Sequence, residues 1–213
     1  MLTVDRPKSI ISELKKDLLK AKEAANYWEL LANTDDLTGL CNRRKLHEID
    51  KCIAEKRKTA TASEVTLLFI DLDNFGQLNK KYGDDVGDDA LRLLGTAVRK
   101  NIRATDIAIR KGGDEFVIIL IGTTPDQANN TVVQRLALML DGELYLNVKD
   151  DIIPIKGSIG VFPYNLRLTP LDNLKQADEL MRTQKVARKA AKIIETSTFI
   201  PTPDLQTNHQ HHH

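Results

Sequence analysis

Two apolar, β-rich segments separated by a pair of glycines constrain the fold of this chain more than any other feature. Residues 105–111 and 115–121 have the composition of strands, and Gly112-Gly113 stands between them. Glycine adopts positive φ at no steric cost, and a tight two-residue hairpin turn requires positive φ at its central positions. The sequence therefore predicts a β-hairpin with Gly112 and Gly113 as the turn and two carboxylates directly after it.

A central strand is predicted at residues 65–70, because a continuous apolar, β-rich run is typical of a strand buried on both faces. The fold class that follows is α+β, with a mixed central β-sheet flanked by helices, in one domain over residues 34–196. Further helices are predicted over 42–58, in a short segment that ends at Tyr82, over 86–101, from the Thr124 capping box to Gly142, and from Thr169 to 194. A loop is predicted at 59–63. A strand region is predicted at 152–161, where Pro154 and Gly157 interrupt it.

Residues 9–32 carry an apolar repeat of period 3.5, which is the pattern of one coiled-coil strand. Its members are Ile11, Leu14, Leu18, Ala21, Ala25, Trp28 and Ala32. Two interpretations stay open: an amphipathic helix packed on its own domain, or a parallel coiled coil that joins two chains. The prediction taken forward is that residues 1–33 form an N-terminal signalling helix that makes the protein a homodimer.

The charge balance argues against nucleic acid or a membrane as a partner, because 31 basic residues face 30 acidic ones and the net charge is +1. The longest apolar run, residues 116–121, is too short to cross a bilayer, and the N-terminus lacks a signal-peptide pattern. Cys41 and Cys52 indicate no disulfide framework, so a cytoplasmic location is expected. The polar residues 197–213 are predicted to be disordered, and their His211-His212-His213 ending resembles part of a purification tag.

Four carboxylates fall at the ends of predicted strands: Asp71, Asp73, Asp114 and Glu115. A carboxylate at the end of an apolar strand is costly unless it is paired or binds a cation. Hard oxygen ligands suit Mg²⁺, which keeps room for substrate phosphates, whereas no Cys or His stands at the spacing that zinc requires. Spacing alone leaves two readings open, a magnesium site and ordinary turn chemistry.

Several short segments accompany the hairpin in a fixed order along the chain. Residues 112–116 read Gly-Gly-Asp-Glu-Phe, residues 35–44 read Asp-Asp-Leu-Thr-Gly-Leu-Cys-Asn-Arg-Arg, and residues 71–75 read Asp-Leu-Asp-Asn-Phe. Then follow Asn79, Gly83, Gly87-Asp88, Leu91, Ser158-Ile159-Gly160-Val161 and Ala177-Asp178. Together these segments resemble the GGDEF family of diguanylate cyclases over roughly residues 34–190, and the chain is identified as a member of that family.

The resemblance implies a nucleotidyl cyclase or polymerase-palm fold, and the condensation of two GTP into cyclic di-GMP with release of pyrophosphate. It implies that Asp114 is the base for the 3′-hydroxyl, with Glu115 in support. It also implies that Mg²⁺ or Mn²⁺ is held by Asp71, by the carbonyl oxygen of Leu72 and by Asp114. Metal ions neutralise phosphate charge in phosphoryl transfer, so this donor set agrees with the implied chemistry.

The resemblance also implies which residues hold GTP. The phosphates face backbone N–H groups at a helix N-terminus, and guanine is recognised by an amide and a carboxylate. The terminal phosphate is held by two cations one helical turn apart, for which a solvated basic helix face is the alternative. The residues concerned are Asn74 and Phe75 for the phosphates, Asn79 and Asp88 for guanine, and Lys185 and Lys189 for the terminal phosphate.

Arg103 and Asp106 form an R-x-x-D sequence ahead of the hairpin, which resembles the family's inhibitory site for its product, cyclic di-GMP. Arginine suits bidentate contact with phosphate or guanine, and the aspartate can hold it in place. The alternative is a local salt bridge.

Two residues depart from the family pattern. Gly76 stands where the family usually has a lysine that is thought to stabilise the transition state, and Asp84 stands where it usually has a histidine. Lys80, Lys81 or Lys111 could compensate for the missing cation. Two interpretations therefore stay open: an enzyme of reduced activity, or a non-catalytic module that binds GTP or cyclic di-GMP.

Overall fold

The computed structural model describes residues 6–57 and 64–197, with side chains over residues 10–55 and 64–183. The loop predicted at 59–63 and nearly all of the tail predicted at 197–213 lie outside the described residues. The helices are α1 (Arg6–Asn33), α2 (Ile49–Arg57), α3 (Phe75–Tyr82), α4 (Asp84–Asn101), α5 (Pro125–Ala128), α6 (Gln134–Leu138) and α7 (Pro170–Ser197). The strands are β1 (Val65–Leu72), β2 (Ile107–Gly112), β3 (Glu115–Ile121), β4 (Tyr145–Val148), β5 (Asp151–Pro154) and β6 (Gly157–Pro163).

Four strands form the central sheet in the order β2-β3-β1-β6, and each neighbouring pair is antiparallel. Cys41 adds a parallel bridge to Ile109 at the β2 edge, which gives the sheet its mixed direction. Every residue of β1 except Asp71 is buried, as the continuous apolar run predicts for a central strand. The predicted α+β class, with a mixed sheet flanked by helices, is confirmed.

Successive side chains along each strand point to opposite faces of the sheet, so the strands build two cores, one on each face. On one face Leu68, Ile70, Phe116 and Ile118 pack against Leu91, Leu94 and Val98 of α4. On the other face Leu67, Phe69, Val117 and Ile119 pack against Ile49 and Ile53 of α2 and Leu174 and Met181 of α7. The sheet is thus covered on both faces, and its polar residues gather at the end where β1 stops.

The hairpin turn lies one residue later than the sequence predicts. Gly112 pairs with Glu115, so the two residues of the turn are Gly113 and Asp114 rather than Gly112 and Gly113. The cause is a register shift between Arg110 and Gly112, which makes Lys111 an extra residue in β2. Gly113 has φ of 54°, a conformation that favours glycine, and the shift places Asp114 at the tip.

Three other predicted elements are corrected. Asn42 is an N-cap as predicted, but the helix it opens is a 3-10 helix over Arg43–Glu48, and α2 begins only at Ile49. The strand region at 152–161 is two strands: β5 pairs with the unpredicted β4, while β6 joins the central sheet. The helix predicted to end at Gly142 contains wide π turns at Asn129–Val133 and Met139–Glu143.

The N-terminal helix α1 does not pack on its own domain, so the first of the two interpretations of its apolar repeat is wrong. Residues 10–32 are all exposed. The apolar seam includes Ile11, Leu14, Leu18 and Trp28, which are 52–66% exposed. The helix ends at the domain, where the Asn42 side-chain amide donates to the carbonyl oxygens of Ala32 and Thr34.

Candidate functional site

A cavity of about 760 Å³ opens at the end of the sheet where β1 stops, which is a size typical of ligand pockets. One wall is α3 with the segment that precedes it, and the opposite wall is the chain from Pro154 to Ser158. Three predicted metal-site residues line it, Asp71, Leu72 and Asp114. The arrangement of β1 and the hairpin brings these three residues together.

The structure divides the four strand-end carboxylates. Asp71, Asp73 and Asp114 line the cavity, and Asp73 accepts a hydrogen bond of 3.2 Å from the Ser158 hydroxyl. Glu115 does not line it, although it pairs with Asp71 across β1 and β3. Its carboxylate accepts a hydrogen bond of 2.9 Å from Lys111 Nζ.

The cavity offers oxygen donors to a metal ion from Asp71, Leu72 and Asp114. Over residues 6–57 and 64–197, no group of three His, Cys, Asp or Glu side chains is arranged to hold one, so a cage of four carboxylates is not what the protein provides. Two carboxylates and a backbone carbonyl are still hard oxygen donors, and Mg²⁺ is commonly held by one or two carboxylates together with substrate phosphates. The residues present therefore fit a magnesium ion that arrives with a nucleotide.

The N-terminus of α3 faces the same cavity. Asn74 precedes the helix with φ of 58°, an uncommon conformation for a residue with a side chain, and its side chain makes no capping hydrogen bond. The first N–H groups of a helix have no intrahelical acceptor, and they attract anions. Asn74 and Phe75 both line the cavity, so their N–H groups are available to phosphate oxygens there.

The two predicted guanine readers do not line this cavity but lie where α3 meets α4. The Asn79 side-chain oxygen is buried and accepts no hydrogen bond from any described residue. It lies against Gly87, where a Cβ atom would collide with it. Asp88 is about half exposed, and Arg92 Nη2 is 3.9 Å from its carboxylate. A buried acceptor without a donor is costly, so this amide suits a ligand that donates hydrogen bonds, as guanine does.

The position of Gly76 is open. No heavy atom lies within 4 Å of a Cβ atom built on it, and the residue is exposed on the first turn of α3. Of the three lysines that could compensate, only Lys81 lines the cavity, and it donates a hydrogen bond of 2.6 Å to the Tyr82 hydroxyl. Asp84 opens α4, where a negative charge is favourable beside the helix dipole.

An arginine connects the hairpin to the opening segment of the domain. Arg110 Nε donates to the carbonyl oxygen of Gly113 at 3.0 Å, and its Nη1 lies 3.3 Å from the Asp35 carboxylate. Burial alone would raise the pKa of Asp35, but hydrogen bonds from Thr38 and the charge of Arg110 outweigh burial and hold that pKa below its usual range. Sequence reasoning missed this pair, because the two residues are 75 positions apart.

In the predicted product site, Asp106 is held by hydrogen bonds from the backbone, whereas the Arg103 side chain is exposed. Asp106 is buried, and its carboxylate accepts hydrogen bonds from the backbone N–H groups of Arg103, at 2.8 Å, and Ile121, at 3.1 Å. Arg103 is exposed, and its guanidinium makes no hydrogen bond or ion pair with any residue that the structure describes. Asp106 thus shapes the turn before β2 and leaves the arginine side chain open to a ligand.

Lys185 and Lys189 lie on the part of α7 whose side chains are outside the described residues. The backbone of α7 nevertheless shows in which direction the helix crosses the sheet. It begins beside Asn165, to which Asn173 is hydrogen-bonded, and Met181 lies over Gly160. Because Gly160 is two residues from Ser158, which pairs with Asp71, the helix runs on toward the carboxylate end of the sheet.

Comparison with known proteins gives consistent results. The family model described as "Diguanylate cyclase, GGDEF domain" matches residues 32–191. The response regulator PleD of Caulobacter vibrioides is 34% identical over 166 residues, which is 76% of this chain and 36% of PleD. The probable diguanylate cyclase DgcC of Escherichia coli is 30% identical over 181 residues, 82% of this chain and 46% of DgcC. This chain thus spans less than half the length of these curated relatives.

Solved structures show the same fold. Diguanylate cyclase SiaD of Pseudomonas aeruginosa, solved with its activator SiaC, superposes with a TM-score of 0.72 at 24% identity, over 86% of this chain and 70% of SiaD. The coiled coil and GGDEF domain of DgcB from Caulobacter crescentus, solved with c-di-GMP, superposes with a TM-score of 0.68 at 20% identity, over 84% of this chain and 94% of that solved chain. None of the helices in the described residues has the length and apolar character needed to span a membrane.

Proposed function

Because the chain belongs to the GGDEF diguanylate cyclase family, we propose that it condenses two molecules of GTP into cyclic di-GMP and pyrophosphate. The observation that carries the proposal is that Asp71 and Asp114 line one cavity together with the N-terminus of α3. That arrangement joins a site for a hard cation to a site for an anion, which a nucleoside triphosphate with its magnesium ion requires. A cytoplasmic location is part of the proposal.

Each of the predicted site residues has a role in the proposed reaction. Asp71, Asp114 and the carbonyl oxygen of Leu72 would hold Mg²⁺ or Mn²⁺, which neutralises phosphate charge when it is bound. The N–H groups at the start of α3 bind the phosphates, while Asn79 and Asp88 take hydrogen bonds from guanine. Asp114, at the tip of the hairpin, accepts the proton of the attacking 3′-hydroxyl, with Glu115 in support. Lys185 and Lys189, on the helix that runs toward this end of the sheet, hold the terminal phosphate.

The reaction joins two nucleotides, and in this proposal the cavity at Asp71 and Asp114 binds one GTP, so the proposal includes a homodimer. The apolar seam of α1 is exposed along its whole length and has the period of a coiled coil. Two copies that pair through this seam bury side chains that a single chain leaves in water. The GTP molecules would then face each other across the dimer.

Cyclic di-GMP is also proposed as an inhibitor at Arg103 and Asp106. The exposed guanidinium of Arg103 can bind phosphate or guanine in a bidentate manner, and Asp106 retains lone pairs beyond the two hydrogen bonds it accepts. Isothermal calorimetry with cyclic di-GMP should show a loss of affinity in Arg103→Ala. Undiminished binding in that variant would remove the site from the proposal.

A second function is favoured by one observation. Gly76 leaves the first turn of α3, next to the cavity, without a side chain at the position where the family usually has a lysine. A domain that binds GTP but turns it over slowly, or that only binds cyclic di-GMP as a signal, fits this feature. The enzyme remains the first proposal, because Asp71, Asp114, Asn79 and Asp88 all have the required residue types.

The test is incubation of the protein with GTP and Mg²⁺, followed by chromatographic separation of the products, with Asp114→Ala as the control. Cyclic di-GMP and pyrophosphate should form with the original protein and not with the variant. Formation of no cyclic di-GMP, together with retained binding of cyclic di-GMP, would support the second function instead.

A further inference from the structure

The hairpin that carries Asp114 also carries a lysine whose ammonium group is held in a defined place. Lys111 is the extra residue at the register shift in β2, and such bulges redirect a side chain. Its Nζ atom lies 2.9 Å from Glu115 Oε2 and 4.9 Å from the centre of the Phe69 ring. The side chains of Lys111 and Glu115 are only 24% and 29% exposed. This lysine is therefore not a solvated surface residue.

The contact with Phe69 places the ammonium group on the face of the sheet from which the Asp71 side chain also leaves. Phe69 and Asp71 are two positions apart on β1, so their side chains leave the same face of the sheet. Asp71 pairs in register with Glu115 on β3. From the edge strand β2, Lys111 thus reaches over β3 toward β1, on the face where Asp71 and Glu115 are neighbours.

Two carboxylates at paired positions on one face of an antiparallel sheet repel each other, because their Cβ atoms are separated by about 5 Å. A positive charge beside them relieves the repulsion. Lys111 supplies that charge, and the Phe69 ring holds the ammonium group through its negative face. A divalent cation bound at Asp71 would add positive charge on the same face of the sheet, so the ammonium group and the cation repel each other.

We propose that Lys111 is a positioning residue that holds Glu115 and neutralises the carboxylate pair in the metal-free protein, and thereby weakens the binding of the divalent cation. The inference rests on the proposed function in one respect, that Asp71 and Asp114 bind a metal ion. It adds that the ion must compete with a lysine of the same hairpin.

The test measures Mn²⁺ binding to the protein without nucleotide, by electron paramagnetic resonance of the free ion. Lys111→Met should bind Mn²⁺ more tightly, by up to about tenfold, since a nearby unit charge in a water-like dielectric changes the affinity of a divalent ion by that order. Lys111→Arg keeps the charge and should bind like the original protein. Lys175→Met removes the same charge at a side chain that is 79% exposed, and it should leave Mn²⁺ affinity unchanged.

The possible outcomes separate this inference from the proposed function. Equal Mn²⁺ affinity in Lys111→Met and Lys175→Met, or weaker binding in Lys111→Met, would overturn the role of Lys111 while leaving the metal site in place. If none of these proteins binds Mn²⁺, or if Asp114→Ala leaves Mn²⁺ affinity unchanged, the metal site itself is contradicted and the inference with it. A variant that is only structurally damaged would lose affinity, whereas the inference predicts a gain.

Discussion

A lysine placed at Gly76 would add a positive charge on the first turn of α3, next to a cavity that Lys81 and Lys156 already line. The position is exposed, and no heavy atom lies within 4 Å of a Cβ atom there, so the new side chain needs no rearrangement. Loss of one hydrogen-bond donor to a transition state lowers turnover by about 10²–10³ in known enzymes. We therefore expect Gly76→Lys to raise kcat for cyclic di-GMP formation by about two orders of magnitude, with a smaller change in KM for GTP.

The matched control is Gly76→Ala, because both substitutions improve the helix but only one adds charge. Replacing glycine inside a helix stabilises it by about 0.5–1 kcal/mol. For a domain of this size that gain raises Tm by roughly 1–4 °C. Gly76→Ala should show this shift in a thermal unfolding experiment followed by circular dichroism, and Gly76→Lys should show a smaller one, because a positive charge in the first turn opposes the helix dipole. The charge argument is refuted if kcat rises equally in both variants, or if Gly76→Lys is stabilised but its kcat does not change.

Other substitutions test separate parts of the account. Gly87→Ala should abolish binding of a GTP analogue in calorimetry, since the new methyl group collides with the Asn79 amide, while Gly76→Ala binds normally; normal binding by both would contradict the guanine site. Arg110→Gln should destabilise the domain by about 1–3 kcal/mol in urea, because the partly buried Asp35 loses its ion-pair partner and keeps only the hydrogen bonds from Thr38. Asp35 has a lowered pKa in the folded protein, so its contribution to stability is present above about pH 4 and is lost as the pH falls below that. The loss of stability between pH 4 and 2 should accordingly be smaller in Asp35→Asn, and an unchanged acid profile would refute this assignment.

Local sequence was sufficient to predict the elements whose conformation is determined by nearby residues. The capping box of Thr124 and Gln127 opens α5 as expected, with both reciprocal hydrogen bonds present. The apolar run at residues 65–70 is the central strand. In both cases the residues that decide the structure lie within a few positions of one another, and tertiary packing agrees with their preference.

Features that depend on register or on distant partners could not be predicted in the same way. Whether the turn begins at Gly112 or Gly113 depends on the extra residue Lys111, and the sequence pattern of two glycines allows both. The Asp35–Arg110 pair joins segments that meet only after the sheet has formed. The burial of Leu46 and Ile49 against the sheet accompanies a 3-10 helix where local preference indicated an α-helix.

The candidate site shows the same division. The residue types for metal and nucleotide binding were evident from the motifs, and the structure places Asp71, Leu72, Asn74, Phe75 and Asp114 around one cavity. What the motifs could not show is that Glu115 is paired with Lys111, since that contact follows from the bulge.

The central claim is that metal and phosphates bind at the end of β1 while guanine binds where α3 meets α4. The most direct test is a crystal structure with Mn²⁺ and a GTP analogue that cannot react, with the anomalous signal of Mn²⁺ measured. We predict an anomalous peak between the Asp71 and Asp114 carboxylates, with the base within hydrogen-bond distance of Asn79 and Asp88. A nucleotide bound elsewhere, such as beside Arg103, with no anomalous peak at Asp71, would contradict the account.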